Sequence, residues 1–422
     1  MWRSKLRTVF KDKDLRKKII FAALALVLFR VGANIPIPGV DASRLAAFLS
    51  GNQFFGLLNI FSGGGLSNLS IVMLGVGPYI TATIIMQLLT MVFPKLKELY
   101  SEEGEAGRAK FNQYSRILTV PLAFLQGFGL LTILGRQGVL GQLTSFDKFV
   151  NIIIVVAGSM ILMWIGEIIS ELGVGNGISL LIFAGIIAVL PTQVQQTLFN
   201  LDSAQIPLIV AFLVAAVLIV AGVVAMTEAE RPIPVSYAKQ VRGMRMYGGS
   251  STHLPIRVNQ AGVIPIIFAL SILLFPQMIG NLFASSGNDI IRVFVNLITA
   301  FNNSLFLYGT FYFVLVFLFS YFYTAVTFDP ESISTNLQKS GAFIPGIRPG
   351  RPTAIHIGKT VNRVTLVGAS FLGIIAVLPL VMRNLTGIAA LSIGGTALLI
   401  VVSVVLETIK LIESQIVMRE YE

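Results

Sequence analysis

Residues able to do covalent or metal chemistry are few. The two histidines, His253 and His356, lie far apart in polar connections, and the chain has no cysteine, which argues against disulfides, thiolate metal sites and thiol catalysis. A Gly-rich phosphate loop, an HExxH helix, a GxSxG elbow and the kinase signatures are all missing. Five ionisable groups stand in or beside apolar stretches. Arg30 lies well inside the first of them, where a charge marks either a functional site or a side chain that snorkels to the interface. Glu167 and Glu171 share one helical face, and Glu407 and Lys410 are spaced to pair at an interface. No catalytic residue, metal site or cofactor is expected. The remaining chemistry is recognition, by Lys239, Arg242 and Arg245 in one long polar connection and by Arg348 and Arg351 in another. Arginine held between glycine and proline on a stiff tip suits phosphate or carboxylate.

Such residues need elements to position them, and the composition names the class. Hydrophobic residues make up 55% of the chain and charged residues 12%, against about 25% charged in soluble domains. Apolar runs recur at 19–36, 75–93, 117–135, 150–169, 178–191, 206–226, 262–282, 304–327, 364–382 and 388–409. The expected fold is therefore an all-α polytopic membrane protein with ten transmembrane helices. The basic stretch before Ile19 looks like the start of a signal sequence, but no small-residue cleavage site follows, so a retained first span is expected. With ten alternating spans, 25 of the 31 basic residues fall on the side of the termini and five on the other, leaving Arg30 inside a span. That bias predicts cytosolic termini. Two connections on that side, 227–261 and 328–363, are longer than joining spans requires, which points to docking.

The stretch from Phe54 to Phe93 is built differently from the other spans. Its first half is a Phe/Leu/Ile-rich segment broken by Gly63, Gly64 and Gly65 and too short to cross a bilayer. Its second half opens with Pro78 and places Val76, Ile80 and Ile84 on one helical face. A glycine-broken piece feeding a helix reads as a re-entrant element lining a cavity, the plainer alternative being an extracellular loop with a sticky helix. The motif Gly75-Val76-Gly77-Pro78 has a counterpart in Gly262-Val263-Ile264-Pro265, with Ile80 and Ile267 each two residues past the proline. This spacing suggests two pseudo-symmetric inverted halves of five helices, 1–200 and 201–422, with function at the midplane between them.

The motifs FSGGGLSNLSI, LGVGPYITATIIMQLL, ERPIPVSYAKQ, STHLPIRVNQAGVIPIIF, DPESISTNLQKSGAFIPGIRPG and GGTALLIVV resemble the SecY/Sec61-alpha family of protein translocase channels, over essentially the whole chain. The resemblance implies a protein-conducting channel in a bacterial plasma membrane. Unfolded secretory preproteins would cross it, and apolar segments such as signal sequences would leave sideways into lipid. It implies a plug near 57–68 that includes Leu57, Leu58, Ile60, Phe61, Gly63, Gly64, Gly65 and Leu66. It also implies a pore ring of Val76, Ile80, Ile182, Ile186, Ile267 and Ile400, with Val76 departing from the usual isoleucine. The lateral gate would include Thr81, Gln87, Ser271 and Phe275. The implied partners are the small subunits SecE and SecG, the motor ATPase SecA, and the ribosome through its RNA, docking on Lys239, Arg242, Arg245, Arg348 and Arg351. Gln240, Val241 and Met244 stand where relatives commonly carry basic residues.

The competing expectation is a secondary transporter, which also uses inverted repeats and broken helices. It would need ionisable or carbonyl-rich coordination at the midplane, whereas both proline-led helices present aliphatic side chains there. An aliphatic ring offers a sliding polypeptide no hydrogen bond to hold it, and it can gate by dewetting.

Overall fold

The structure, a computed structural model, describes residues 12–38, 45, 59, 62–101, 103–136, 138–140, 144–199, 206–237, 240–242, 245–247, 251–283, 289–386 and 389–420. The first half contains α1 (Lys13–Gly32), α2 (Gly77–Val92), α3 (Pro94–Ser101), α4 (Gly104–Arg136), α5 (Ser145–Leu172) and α6 (Gly177–Phe199). The second contains α7 (Ile206–Glu228), α8 (Ile264–Phe283), α9 (Asp289–Asn303), α10 (Leu305–Thr327), α11 (Pro330–Lys339), α12 (Arg351–Thr386) and α13 (Ala389–Glu420). Each of the ten apolar runs falls on a helix.

Gly104–Gly135, Ser145–Leu172, Leu305–Lys339 and Arg351–Met382 are each long and apolar enough to cross a membrane, and α2 with α3 forms a fifth such stretch bent by 117°. The bend has a local cause. Pro94 disfavours helical geometry at the residue before it, and Phe93 is extended at φ −109°, ψ 106°. The chain is a multi-pass helical membrane protein. Several helices run past the apolar stretches: α4 starts at Gly104 rather than 117, α12 at Arg351 rather than 364, and α13 continues to Glu420 rather than 409. Hydropathy marks where a helix meets lipid, while hydrogen bonding propagates the helix beyond it.

The two long connections are not the unstructured loops their length suggests. The first carries β1 (Glu230–Tyr237), β2 (Gln240–Arg242), β3 (Arg245–Tyr247) and β4 (Ser251–Arg257); the second carries α11, β5 (Ala342–Phe343) and the start of α12. β1 pairs antiparallel with β4 from Glu230↔Arg257 to Ser236↔Ser251, and with β5 at Ser236↔Phe343 and Tyr237↔Ala342. Pro232 and Pro234 lie where β1 has a neighbour on one side only, so their missing N–H groups cost no ladder bond. Alternation along β1 buries Ile233 and Val235, which join Ile256, Ala342, Ile344, Ile357 and Val361 in a small core of their own. The connections thus form one folded platform.

The main core is a single apolar cluster drawing on α1, α2, α5, α6, α7, α8, α10, α12 and α13. Close backbone approach sets its packing. A Cβ at Gly158 of α5 would strike the Ile71 carbonyl, and one at Gly177 would strike the Gly166 carbonyl. Lys410 on α13 pairs with Glu228 at the end of α7, 3.5 Å away, rather than with Glu407 one turn along. Lateral packing of α7 on α13 delivers that partner, which helical spacing alone does not show.

Candidate functional site

The aliphatic residues expected to face one another all belong to, or pack against, the central core. Val76 is the N-cap of α2, Ile80 and Ile84 follow on the same face, and all three are buried. They join Ile182 and Ile186 of α6 and Ile400 of α13 in the central cluster, and Ile267 of α8 packs against it while staying partly exposed. Four helices therefore contribute the six aliphatic residues to the same central core. The two proline-led entries are also built alike. Gly75 and Gly262 both take left-handed backbone, at φ 60° and 61°. The Ile80 N–H donates to the Val76 carbonyl at 3.0 Å, and the Ile267 N–H to the Val263 carbonyl at 3.4 Å.

Directly against this cluster lies the glycine-broken segment. Leu57, Leu58, Ile60 and Phe61 lie outside the described residues, whereas Gly63, Gly64, Gly65 and Leu66 are all buried. Gly63 and Gly64 have φ of 68° and 79°, which side-chain-bearing residues rarely adopt. Space demands glycine as well. A Cβ at Gly63 would collide with the Phe29 ring and come within 3.1 Å of the Gly185 Cα, one residue before Ile186. The segment is wedged between α1 and α6.

A dense set of hydrogen bonds holds this irregular backbone, as buried peptide groups require. Gly64 N–H donates to the Asn59 carbonyl at 2.8 Å, Ser67 N–H to Asn59 Oδ1 at 2.7 Å, and Ser67 Oγ to the Gly64 carbonyl at 2.6 Å. Ser70 N–H closes the turn onto the Gly65 carbonyl at 2.8 Å. Asn68 Nδ2 donates to Asn34 Oδ1 at 3.1 Å, tying the segment to the end of α1. Arg30 does not snorkel away. Its Nη1 donates to the Gly63 carbonyl at 2.6 Å.

The residues assigned to a lateral seam sit on α2 and α8, helices that pack on each other and on α4. Thr81 Oγ donates back to the Gly77 carbonyl at 3.0 Å and Ser271 Oγ to the Ile267 carbonyl at 2.9 Å, so neither hydroxyl bridges the seam. The Gln87 side-chain carbonyl is buried without a hydrogen-bond partner. Phe275 lies on α8, beyond the part whose side chains are described.

On the platform, Arg242 and Arg245 pair directly across the β2–β3 hairpin at its turn, and Lys239 lies outside the described residues. Arg348 is exposed on the tip that leads into α12, and Arg351 is exposed at that helix's first residue. The tip is fixed from beneath. Thr353 Oγ donates to the Arg348 carbonyl at 2.8 Å and Ser334 Oγ to the Gly350 carbonyl at 2.7 Å, with Gly346 and Gly350 at φ 83° and 91°.

One cluster is not foreseen from the sequence. Glu167 faces inward onto Arg116 with Tyr79 beside it, whereas Glu171 is exposed. The signal available was a carboxylate and an arginine each set among apolar residues. Among the described residues no group of three or more His, Asp or Glu could hold a metal ion.

Comparison with known proteins bears on what this arrangement does. The SecY family model matches residues 70–409. The protein translocase subunit SecY of Corynebacterium glutamicum is 46% identical over 437 residues, covering 98% of this chain and 98% of that one. Among solved structures, one concerning the SecY plug domain, which stabilises the closed state of the translocation channel and maintains a membrane seal, superposes with a TM-score of 0.67 at 20% identity. Sec61 in the canine ribosome-channel complex from the endoplasmic reticulum superposes with a TM-score of 0.61 at 19% identity. Each alignment covers 95% of this chain and 92% of the other.

Proposed function

The chain belongs to the SecY family of protein translocase subunits, and on that premise we propose that it forms a protein-conducting channel whose resting pore is closed twice. The six aliphatic residues from Val76 to Ile400 form the inner seal, and the segment around Gly63–Leu66 is the plug outside it. The observation that carries this reading is the position of that segment. A glycine-rich, irregular backbone is buried against Phe29, Gly185 and Val189, rather than exposed as a loop. Irregular backbone at membrane depth is tolerated where it is enclosed by protein or lines a cavity.

The matching left-handed entries at Gly75 and Gly262 support two inverted halves, 1–200 and 201–422, with the ring between them. Parting of α2 from α8 at Thr81, Gln87, Ser271 and Phe275 would open the pore to lipid. An apolar segment would then partition sideways while a polar one continued across. The platform is the docking face. Arg348 and Arg351, with Lys239, Arg242 and Arg245, would engage the acidic surface of a motor ATPase such as SecA or the phosphates of ribosomal RNA. SecE and SecG would complete the assembly in a bacterial plasma membrane, with both termini and the platform cytosolic.

Deletion of residues 57–67 tests the reading. The assembled protein in a planar bilayer should show large, poorly selective conductance at rest. Background conductance in an assembled deletion protein would mean that the segment seals no pore.

A further inference from the structure

Arg30 is a charged residue in a helix that is otherwise apolar along this stretch, and such a group is costly in lipid unless it finds a partner. Two chemically different partners were open to it. A side chain near a helix end can extend to the headgroups, where water and phosphate satisfy it. Arg30 instead turns inward, beside the buried ring of Phe29, and donates to the Gly63 carbonyl 33 residues away. Gly64 lies beside it as well, since a Cβ there would lie 3.5 Å from Arg30 Nη1. The acceptor is itself unusual. The Gly63 carbonyl points at Arg30 only because Gly63 and Gly64 take successive left-handed conformations. Nothing in α1 requires this contact, because the helix C-terminus is closed by Ala33 N–H on the Phe29 carbonyl and by Asn34 Nδ2 on the Arg30 carbonyl.

From this we infer that Arg30 is the latch of the plug: a positioning residue that stabilises the closed state through one charge-assisted hydrogen bond to the plug backbone. The inference rests on the plug reading above. The bond acts on the gating equilibrium because its two ends belong to elements that separate. With the segment in place the guanidinium is satisfied; once the segment leaves, it loses that acceptor. A bond present in only one of two states shifts their populations by its whole net worth, and a hydrogen bond from a charged group is strong enough to move such a ratio about tenfold or more. The geometry also separates arginine from lysine, since a guanidinium carries its donors at the end of a planar fork and an ammonium presents a compact charge on a shorter reach.

A double-mutant cycle tests the latch in the assembled translocase, reading resting conductance in planar bilayers and export of a substrate with a weakened signal sequence. Arg30→Gln should raise the resting open fraction about tenfold or more and admit the weak-signal substrate, with Arg30→Lys between it and the parent. Gly64→Ala, which strains the plug from the other side while keeping Arg30, should do the same and carries the test with Arg30→Lys if Arg30→Gln does not assemble. In a protein already lacking residues 57–67, Arg30→Gln should add nothing. A tight Arg30→Gln channel beside a leaky deletion would overturn the latch and leave the plug intact. An increment as large in the deletion background as in the parent would show that Arg30 seals by another route, and also overturns it. A deletion protein that does not leak would remove the plug reading itself and the latch with it.

Discussion

Arg116 on α4 and Glu167 on α5 form an ion pair across 51 residues of sequence, with Nε 2.8 Å from Oε1. The Glu167 side chain is 14% exposed and that of Arg116 41%, so the carboxylate is the member that depends on the pair. Tyr79 lies beside the same carboxylate. Tyr79 follows Pro78 in the first turn of α2 and precedes Ile80, so the pair that joins α4 to α5 stands beside the start of α2.

Loss of the guanidinium leaves the mostly buried Glu167 carboxylate unpaired. Arg116→Gln should therefore cost about 1–3 kcal/mol and lower the thermal midpoint of the purified assembly by a few degrees. Glu167→Gln, which leaves only the exposed Arg116 unpaired, should cost less. An unchanged midpoint in Arg116→Gln would mean that the pair is ornamental.

In the proposed channel the inner seal is apolar burial, which serine would remove without removing the helix. Replacing Ile80 and Ile267 by serine should cost about 1.5–3 kcal/mol of seal at the buried Ile80 and less at the partly exposed Ile267. Resting leak should rise, with export of weak-signal substrates increasing alongside it, as hydration of a dewetted constriction predicts. A double variant as tight and as selective as the parent would place these two side chains away from the pore.

At the platform, Arg348 is exposed while its backbone is clamped by Thr353, so its side chain can change without unfolding the tip. Arg348→Glu should weaken motor docking about tenfold and flatten its salt dependence, while thermal stability and passive sealing stay at parental values. Equal motor-driven export by variant and parent would reduce the tip to a charged turn.

The helices were legible in the sequence because lipid imposes a direct requirement: every span must be an apolar run, and each of the ten runs lies on a helix. Gly63 to Gly65 announced an irregular segment for the same local reason. Partnerships were not legible. That Arg30 lies within an apolar run could be read from the chain, but its acceptor 33 residues on could not, and the pairing of Lys410 with Glu228 depends on how α7 packs on α13. The platform was half visible. Ile233 and Val235 alternate as a strand requires, but Pro232 and Pro234, each directly before one of them, mask the pattern until the open edge of β1 is known. The amphipathic α9, Asp289–Asn303, escaped because a helix of 15 residues is too short to register as a span.

The central claim, that a polypeptide passes along the axis formed by these aliphatic residues, can be tested on a chain with no native cysteine. Single cysteines would replace Ile80 on α2, Ile186 on α6 and, as a control, Leu125 on α4, which is 57% exposed on the outside of the bundle. A secretory chain carrying one cysteine is arrested part-way across and oxidised. The channel predicts disulfide adducts with Ile80→Cys and Ile186→Cys that depend on the arrested chain, and none with Leu125→Cys. Adducts at Leu125→Cys with none at the two ring positions would contradict it.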